Sequence, residues 1–224
     1  MKKAAIIVAG GSGQRMGTDL PKQFLTIHGK PLFMYSIDAF INALDGIDII
    51  LVLPLAYHDF AKEMIIESGY NTASIKIVSG GQTRFDSVKN GLNEIVDDTI
   101  VFIHDAVRCL VSSDLINRCY LGCIENGSAI PVIPVRDSIR KLKTDGSSEL
   151  VSRDNLRIVQ TPQVFLGKEI KNAFNADYNP SFTDEASVME YAGHNVFLVD
   201  GEESNIKITY PDDLFFAEWK ISKH

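Results

Sequence analysis

Apolar runs and helical patterns alternate along most of this 224-residue chain, and that alternation restricts its fold more than any other feature. Residues 4–8, 47–53, 75–78, 99–103 and 129–135 read as buried strands. Between them, residues 31–44, 57–68 and 83–96 read as helices, and Ser112 or Ser113 caps another that runs through Glu125. Phe85, Val88, Leu92 and Ile95 form one apolar stripe. The β-α-β rhythm predicts an α/β, Rossmann-like fold, with a mostly parallel sheet and helices on both faces. Ligands of such sheets bind beyond the C-terminal ends of the strands. Three polar stretches fall at that edge: the turn at Gly10, the turn Gly80-Gly81, and His104-Asp105.

The first of these is Ala9-Gly10-Gly11-Ser12-Gly13-Gln14-Arg15-Met16-Gly17, with Pro21-Lys22-Gln23 behind it. Glycines let the backbone approach a ligand and aim N–H groups at an anion. The dinucleotide fingerprint G-x-G-x-x-G fails, because Met16 stands where its third glycine belongs. The P-loop fails as well, since no glycine is followed by Lys-Ser or Lys-Thr at the required spacing. Arg15 and Lys22 add two cations to the glycine turn, so the stretch reads as a grip for a polyphosphate.

After residue 135 the rhythm breaks. Residues 136–156 are polar and alternate loosely around Asp145-Gly146, a hairpin signal. They read as an exposed β-arm, protruding from a single domain of residues 1–224. Helices follow at about 167–177 and 184–192, the second capped by Thr183. Residues 196–199 and 206–209 read as strands, and Pro211 opens a last helix.

The net charge of −7 argues against a nucleic-acid surface. An anionic substrate would need local positive charge, and residues 14–30 carry Arg15, Lys22 and Lys30 against Asp19 alone. No apolar run approaches the roughly 18 residues that span a membrane. The N-terminus runs straight into the first strand, so a cytoplasmic protein without a signal peptide is expected. The three cysteines, Cys109, Cys119 and Cys123, read as buried and inert.

Two further charged residues stand out. Lys207, among the apolar residues of 206–208, is either an edge lysine reaching water or a third cation aimed at phosphates. Asp105 ends a buried strand, where it caps the next segment or serves as a Mg²⁺ ligand beside a triphosphate. His104 reads as structural, and Ser87 can bond back to its own helix.

The motif A-G-G-S-G-x-R-M-G with P-K-Q resembles the nucleotide-binding loop of sugar-nucleotide pyrophosphorylases and related nucleotidyltransferases. Within these it is most similar to the 2-C-methyl-D-erythritol 4-phosphate cytidylyltransferases of non-mevalonate isoprenoid synthesis. Gly80-Gly81-Gln82-Thr83-Arg84-Phe85-Asp86-Ser87-Val88 resembles their G-G-x-x-R-x-x-S-V motif, and His104 to Cys109 their H-D-A-A-R-P, with Val107 and Cys109 as departures. P-V-R-D-S, S-R-D-N-L, Q-T-P-Q-V-F, T-D-E-A-S and N-I-K-I-T also match, in order, from residue 4 to about 218.

The resemblance implies a homodimeric transferase that moves CMP from CTP to a sugar-alcohol phosphate. No nucleic acid or membrane takes part. It implies catalytic cations at Arg15, Lys22 and Lys207. Nucleotide contacts would come from Gly10, Gly11, Ser12, Gly13, Gly80, Gly81, Gln82 and Ser87. Substrate contacts would come from Asp105, Arg108, Ser138, Arg153 and Thr161, and Asp105 would hold Mg²⁺ or another divalent cation. Thr183 to Ser187 are expected mainly to cap a helix. The arm is expected to clasp a second subunit. The alternatives are a ribitol-5-phosphate (polyol-phosphate) cytidylyltransferase and a catalytically silent nucleotide-binding protein.

Overall fold

The computed structural model describes residues 1–10, 20–70 and 74–223. Strand β1 (Lys2–Val8) lies at the centre, parallel to β4 (Asp48–Leu53) on one side and β6 (Thr99–Asp105) on the other. Its residues alternate between two cores. Ala5 and Ile7 face the side of α1 (Leu32–Ala43), α2 (His58–Glu67) and α4 (Ser113–Asn126). Ala4 and Ile6 face α3 (Arg84–Leu92), α5 (Gly167–Ala173) and α6 (Glu185–Tyr191). Burial on both faces is why these strands are continuous apolar runs. β5 (Ile75–Ser79) extends the parallel half beyond β4.

The other half is mixed. β7 (Ser128–Pro134) is reached from β6 through β11 (Gln163–Leu166), which is antiparallel to both. β10 (Arg157–Val159) runs antiparallel to β7, and β12 (Leu198–Asp200) parallel to it. Among the described residues this main sheet has eight strands. β10 and β11 escape the sequence reading because each is three or four residues long, split by Gln160-Thr161-Pro162. The small antiparallel pair β2 (Thr26–Ile27) and β3 (Lys30–Pro31) escapes for the same reason.

Several boundaries differ from expectation. α3 stops at Leu92, yet Ile95 still packs into the core. α5 ends at Ala173. The cap of α6 is Asp184, which accepts from the Ser187 N–H at 2.9 Å, and not Thr183. Residues 206–209 form no strand. One ladder-like bond, Ile208 N–H to Val107 C=O at 3.0 Å, pins them beside the end of β6. Beyond them α7 (Pro211–Ile221) packs Ala217 against Ile27, Leu32 and Ile208.

The polar segment folds as expected into a hairpin of β8 (Ile139–Leu142) and β9 (Ser148–Val151), turning at Gly146 with φ +82°. Among the described residues it pairs with no strand of the main sheet. Among the described residues no helix is long and apolar enough to cross a membrane.

Candidate active site

The C-terminal ends of β1 and β6 and the start of α3 enclose a cleft of about 250 Å³. Lys22, Gln82, Arg84, Asp105 and Lys207 line it, with Gly10 and Gly81 supplying backbone walls. Five separate stretches of sequence meet here, at the sheet edge where such folds bind ligands.

Lys22 opens a single 3₁₀ turn, Lys22–Phe24, whose far end is sunk in the core. The Phe24 ring sits 5.6 Å from Phe33 and 5.1 Å from Tyr57. Gln23 is 1% exposed and donates to the Ala9 carbonyl at 2.6 Å, which ties the turn to the end of β1. The Lys22 ammonium therefore leaves a rigid base. It donates to the Ile208 carbonyl at 2.9 Å.

On the opposite wall, a capping box between Thr83 and Asp86 starts α3. Gly81 packs so closely that a Cβ there would stand 2.2 Å from the Asp86 Cβ, so only glycine fits. The buried Ser87 hydroxyl donates to the Thr83 carbonyl and accepts from the Gly81 N–H, each at 3.0 Å. It thus bonds back to its helix and fixes the glycine turn, while the exposed Gln82 faces the cleft.

Asp105 is the electrostatic centre. Its Oδ2 lies 2.9 Å from Lys207 Nζ and 3.5 Å from Arg108 Nε, and its Oδ1 lies 3.3 Å from Arg84. Burial alone would raise its pKa. The three cations outweigh burial and hold the carboxyl well below the usual carboxylate range. Arg84 turns its remaining edge to Glu185, whose two carboxylate oxygens accept from its two terminal nitrogens. Burial opposes the Arg84 charge, yet Glu185 and Asp105 overcome that and raise its pKa.

Behind Asp105 sits a neutral His104. Burial pushes its pKa down to about 4. The Thr161 hydroxyl accepts from the Asp105 N–H at 3.0 Å and lies 3.1 Å from His104 Nδ1. The Arg108 carbonyl, 3.3 Å from Nε2, can only accept, so the neutral ring carries its proton on Nε2 and Nδ1 accepts from the Thr161 hydroxyl. His104 is structural, as its sequence setting suggests.

The expected site residues thus divide. Lys22, Lys207, Asp105, Gly10, Gly81 and Gln82 meet in the cleft, with Ser87 in its wall; Gly80 packs against Ser87 and does not itself line the cleft. Gly11, Ser12, Gly13 and Arg15 lie outside the described residues. Thr161 is buried behind Asp105, so it positions the carboxylate and presents no hydroxyl to the cleft. Arg108 likewise braces from behind, donating to the Asn205 carbonyl at 2.9 Å. Ser138 and Arg153 sit on the exposed hairpin segment and do not line the cleft; Arg153 donates to the Arg136 carbonyl.

Sequence reasoning missed Arg84 and Glu185, and also the two glutamines of Q-T-P-Q. Gln160 holds residues 202–205 through the Glu202 carbonyl at 2.7 Å. Gln163 accepts from Ala186 N–H and donates to Asp184, each at 2.9 Å. Buried glutamines beside a proline, with no apolar period around them, were the available signal.

Among the described residues no cluster of three His, Cys, Asp or Glu side chains could cage a metal. Asp105 is the one carboxylate lining the cleft among them. This donor set fits a divalent cation held mostly by substrate phosphates with one protein carboxylate, the usual mode for Mg²⁺.

The family model described as 2-C-methyl-D-erythritol 4-phosphate cytidylyltransferase matches residues 3–223. A protein of that name from Bacteroides fragilis is 48% identical over 217 residues, covering 97% of this chain and 98% of its own length. One from Clostridium tetani is 42% identical, covering 99% of this chain and 91% of its own. The crystal structure of the Francisella tularensis enzyme superposes with a TM-score of 0.82 at 31% identity, over 98% of this chain and 100% of that one. A bifunctional protein from Campylobacter jejuni superposes with a TM-score of 0.81 at 27% identity, over 96% of this chain and 54% of its own. The chain belongs to the 2-C-methyl-D-erythritol 4-phosphate cytidylyltransferase family.

Proposed function

We propose that the cleft transfers CMP from CTP to 2-C-methyl-D-erythritol 4-phosphate, giving 4-diphosphocytidyl-2-C-methyl-D-erythritol and pyrophosphate for isoprenoid synthesis. The observation that carries this reading is the convergence of Lys22 and Lys207 on one small cleft around Asp105. An oxygen of the acceptor phosphate attacks the α-phosphorus, and the bond to the β-phosphate bridge breaks as pyrophosphate leaves. An ionised phosphate needs no general base, which agrees with a neutral, buried His104. Lys22 and Lys207 meet the negative charge that grows in the transition state, and Arg15 is assigned the same role. Both lysines rest on protein oxygens, Ile208 C=O and Asp105, that a triphosphate would replace. Asp105 would hold Mg²⁺ or another divalent cation, which neutralises and shapes the triphosphate.

We further assign the β8–β9 hairpin to a homodimer contact, in a cytoplasmic enzyme. Leu142 and Leu150 lie diagonally on one hairpin face, 78% and 72% exposed. Arg153, which does not line its own cleft, then serves the neighbouring subunit.

A pyrophosphate-release assay with CTP and a panel of acceptors tests the reaction. Release with ribitol 5-phosphate in place of the methylerythritol phosphate would favour the polyol alternative, and no release at all a silent protein. CTP is expected to be used far better than UTP, because a site shaped to one base edge leaves polar groups unpaired with the other. For the dimer, inactive Lys22→Ala and Arg153→Ala chains are refolded together. Half of the resulting dimers are mixed, and each holds one intact site, so about a quarter of wild-type activity is expected. Activity at parental levels despite mixed dimers would place Arg153 in cis or outside the site.

A further inference from the structure

The geometry points to Glu185 as a positioning residue for the reaction, acting through Arg84 and Asp105 on Lys207. This inference rests on the reading above and deepens it. Glu185 belongs to T-D-E-A-S, a segment whose sequence suggests mainly helix capping. The structure gives the capping to Asp184 and Ser187 and leaves Glu185 free for another task. Its carboxylate is 1% exposed, although it stands at the first position of a helix. A buried carboxylate is costly unless fully paired. Here both oxygens go to one arginine, Oε2 at 3.0 Å from Arg84 Nη2 and Oε1 bonded to Nη1.

The consequence lies at the other edge of the guanidinium. A planar fork held at two points by Glu185 has its Nε edge aimed in one direction. That edge donates to Asp105 Oδ1 at 3.3 Å. Oδ1 being so engaged, Oδ2 turns to Lys207 at 2.9 Å. The chain Glu185–Arg84–Asp105–Lys207 runs from the buried start of α6 into the cleft. Lys207 is 42% exposed at its side chain and stands on a segment with no strand ladder, so its aim depends on Asp105. Charge balance adds to the case. Without Glu185, three cations would bear on the single carboxylate of Asp105. Glu185 answers one of them.

The test is kinetic and spectroscopic. Glu185→Gln is expected to lower kcat at least tenfold while moving the KM for CTP less than threefold. The double variant Glu185→Gln/Lys207→Ala is expected to be no slower than Lys207→Ala alone, because both changes cut one chain. Multiplying losses would overturn the proposal. Asp184→Ala, which removes the cap of the same helix, is expected to keep kcat within threefold; an equal loss there would mean that disturbing α6 suffices, and would overturn it too. If Glu185→Gln fails to fold, Arg84→Met/Glu185→Leu replaces the pair with apolar side chains. In that background Lys207→Ala is expected to cost less than threefold, and its full cost would overturn the link. A last arm needs no substrate. The Nε–H resonance of Arg84 is expected to be exchange-protected in the wild type and to lose that protection in Glu185→Gln. Unchanged protection overturns the proposal. Lost protection in a protein that releases no pyrophosphate would sink the functional reading and leave the positional chain standing.

Discussion

Arg84–Glu185 and Arg136–Glu203 are both arginine–glutamate pairs, and they sit in opposite surroundings. The first has side chains 31% and 1% exposed, and lines one small cavity with the stacked rings of Phe85 and Phe182. The second, at the base of the hairpin segment, has side chains 73% and 54% exposed. Exposed pairs contribute little because water and salt screen them. A buried pair costs desolvation and yields direction, since neither partner can turn away without leaving a charge unmet. The cleft and the hairpin differ in the same way throughout. Around Asp105 the charged groups are tied together from separate parts of the chain: Arg84, Arg108 and Lys207 all meet its carboxylate, and Arg84 also meets Glu185. Around Gly146 the bonds are local, such as Ser147 N–H to Asp145 at 2.9 Å. The cleft is therefore held by bonds between distant residues, and the hairpin by bonds within its own turn and strand pair.

The sharpest way to break this contrast is at Asp105. Asp105→Asn leaves Arg84, Arg108 and Lys207 facing one another without their shared anion. A rate loss of at least ~10²–10³ and a stability loss of about 3 kcal/mol are expected, the second because uncompensated buried charges remain. Pyrophosphate release and urea unfolding measure the two. A soluble variant with unchanged unfolding would mean that water already screens the cluster.

Lys22→Ala and Lys207→Ala separate rate from stability. Each is expected to lower kcat ~10²–10³-fold, with unfolding free energy changed by less than about 1 kcal/mol. A loss below fivefold in both would reduce these lysines to surface charges.

Acid titration distinguishes the buried side again. The His104 pKa stands at about 4, down from 6.5. Between those values the unfolded chain binds a proton that the folded chain refuses. Stability then falls as pH drops from 6.5, and this contribution levels off below about 4, at a total of about 3 kcal/mol. Asp105 acts in the next window down, because its carboxyl is held below 3.8 and its stabilisation is lost as pH falls further. Unfolding at a series of pH values is expected to show a shallower slope between 6.5 and 4 in His104→Gln. An identical slope would assign the acid sensitivity elsewhere.

The two regions were also unequally legible. The hairpin could be read at Asp145-Gly146, since local turn chemistry is written in adjacent residues. The parallel strands were equally plain, because burial on both faces demands apolar runs. At the cleft, motif residues Lys22, Asp105 and Lys207 could be named, yet their partners could not. Arg84 meets Glu185 across 101 positions of sequence, and Gln160 meets Glu202 across 42. Nothing local encodes such pairings. Residues 206–209 show the reverse error. They suggest a strand, but a single backbone bond, from Ile208 to Val107, stands where a ladder would be.

The smallest effects are expected at the hairpin, where they separate shape from association. Gly146→Ala puts a side chain at φ +82° in an open turn, at a cost of about 1 kcal/mol in hairpin order. Leu142→Ser/Leu150→Ser costs the isolated chain almost nothing, since both side chains are already in water. Unfolding at low protein concentration is therefore expected to shift by less than about 0.5 kcal/mol. Sedimentation is expected to show dimers giving way to monomers, as the apolar face that a second subunit would cover becomes polar. If the variant dissociates and also loses turnover in step, with activity restored at high protein concentration, the hairpin completes a site in its neighbour. If it stays dimeric, or dissociates with full turnover, the hairpin is a solvated turn, and the cleft performs its chemistry within one chain.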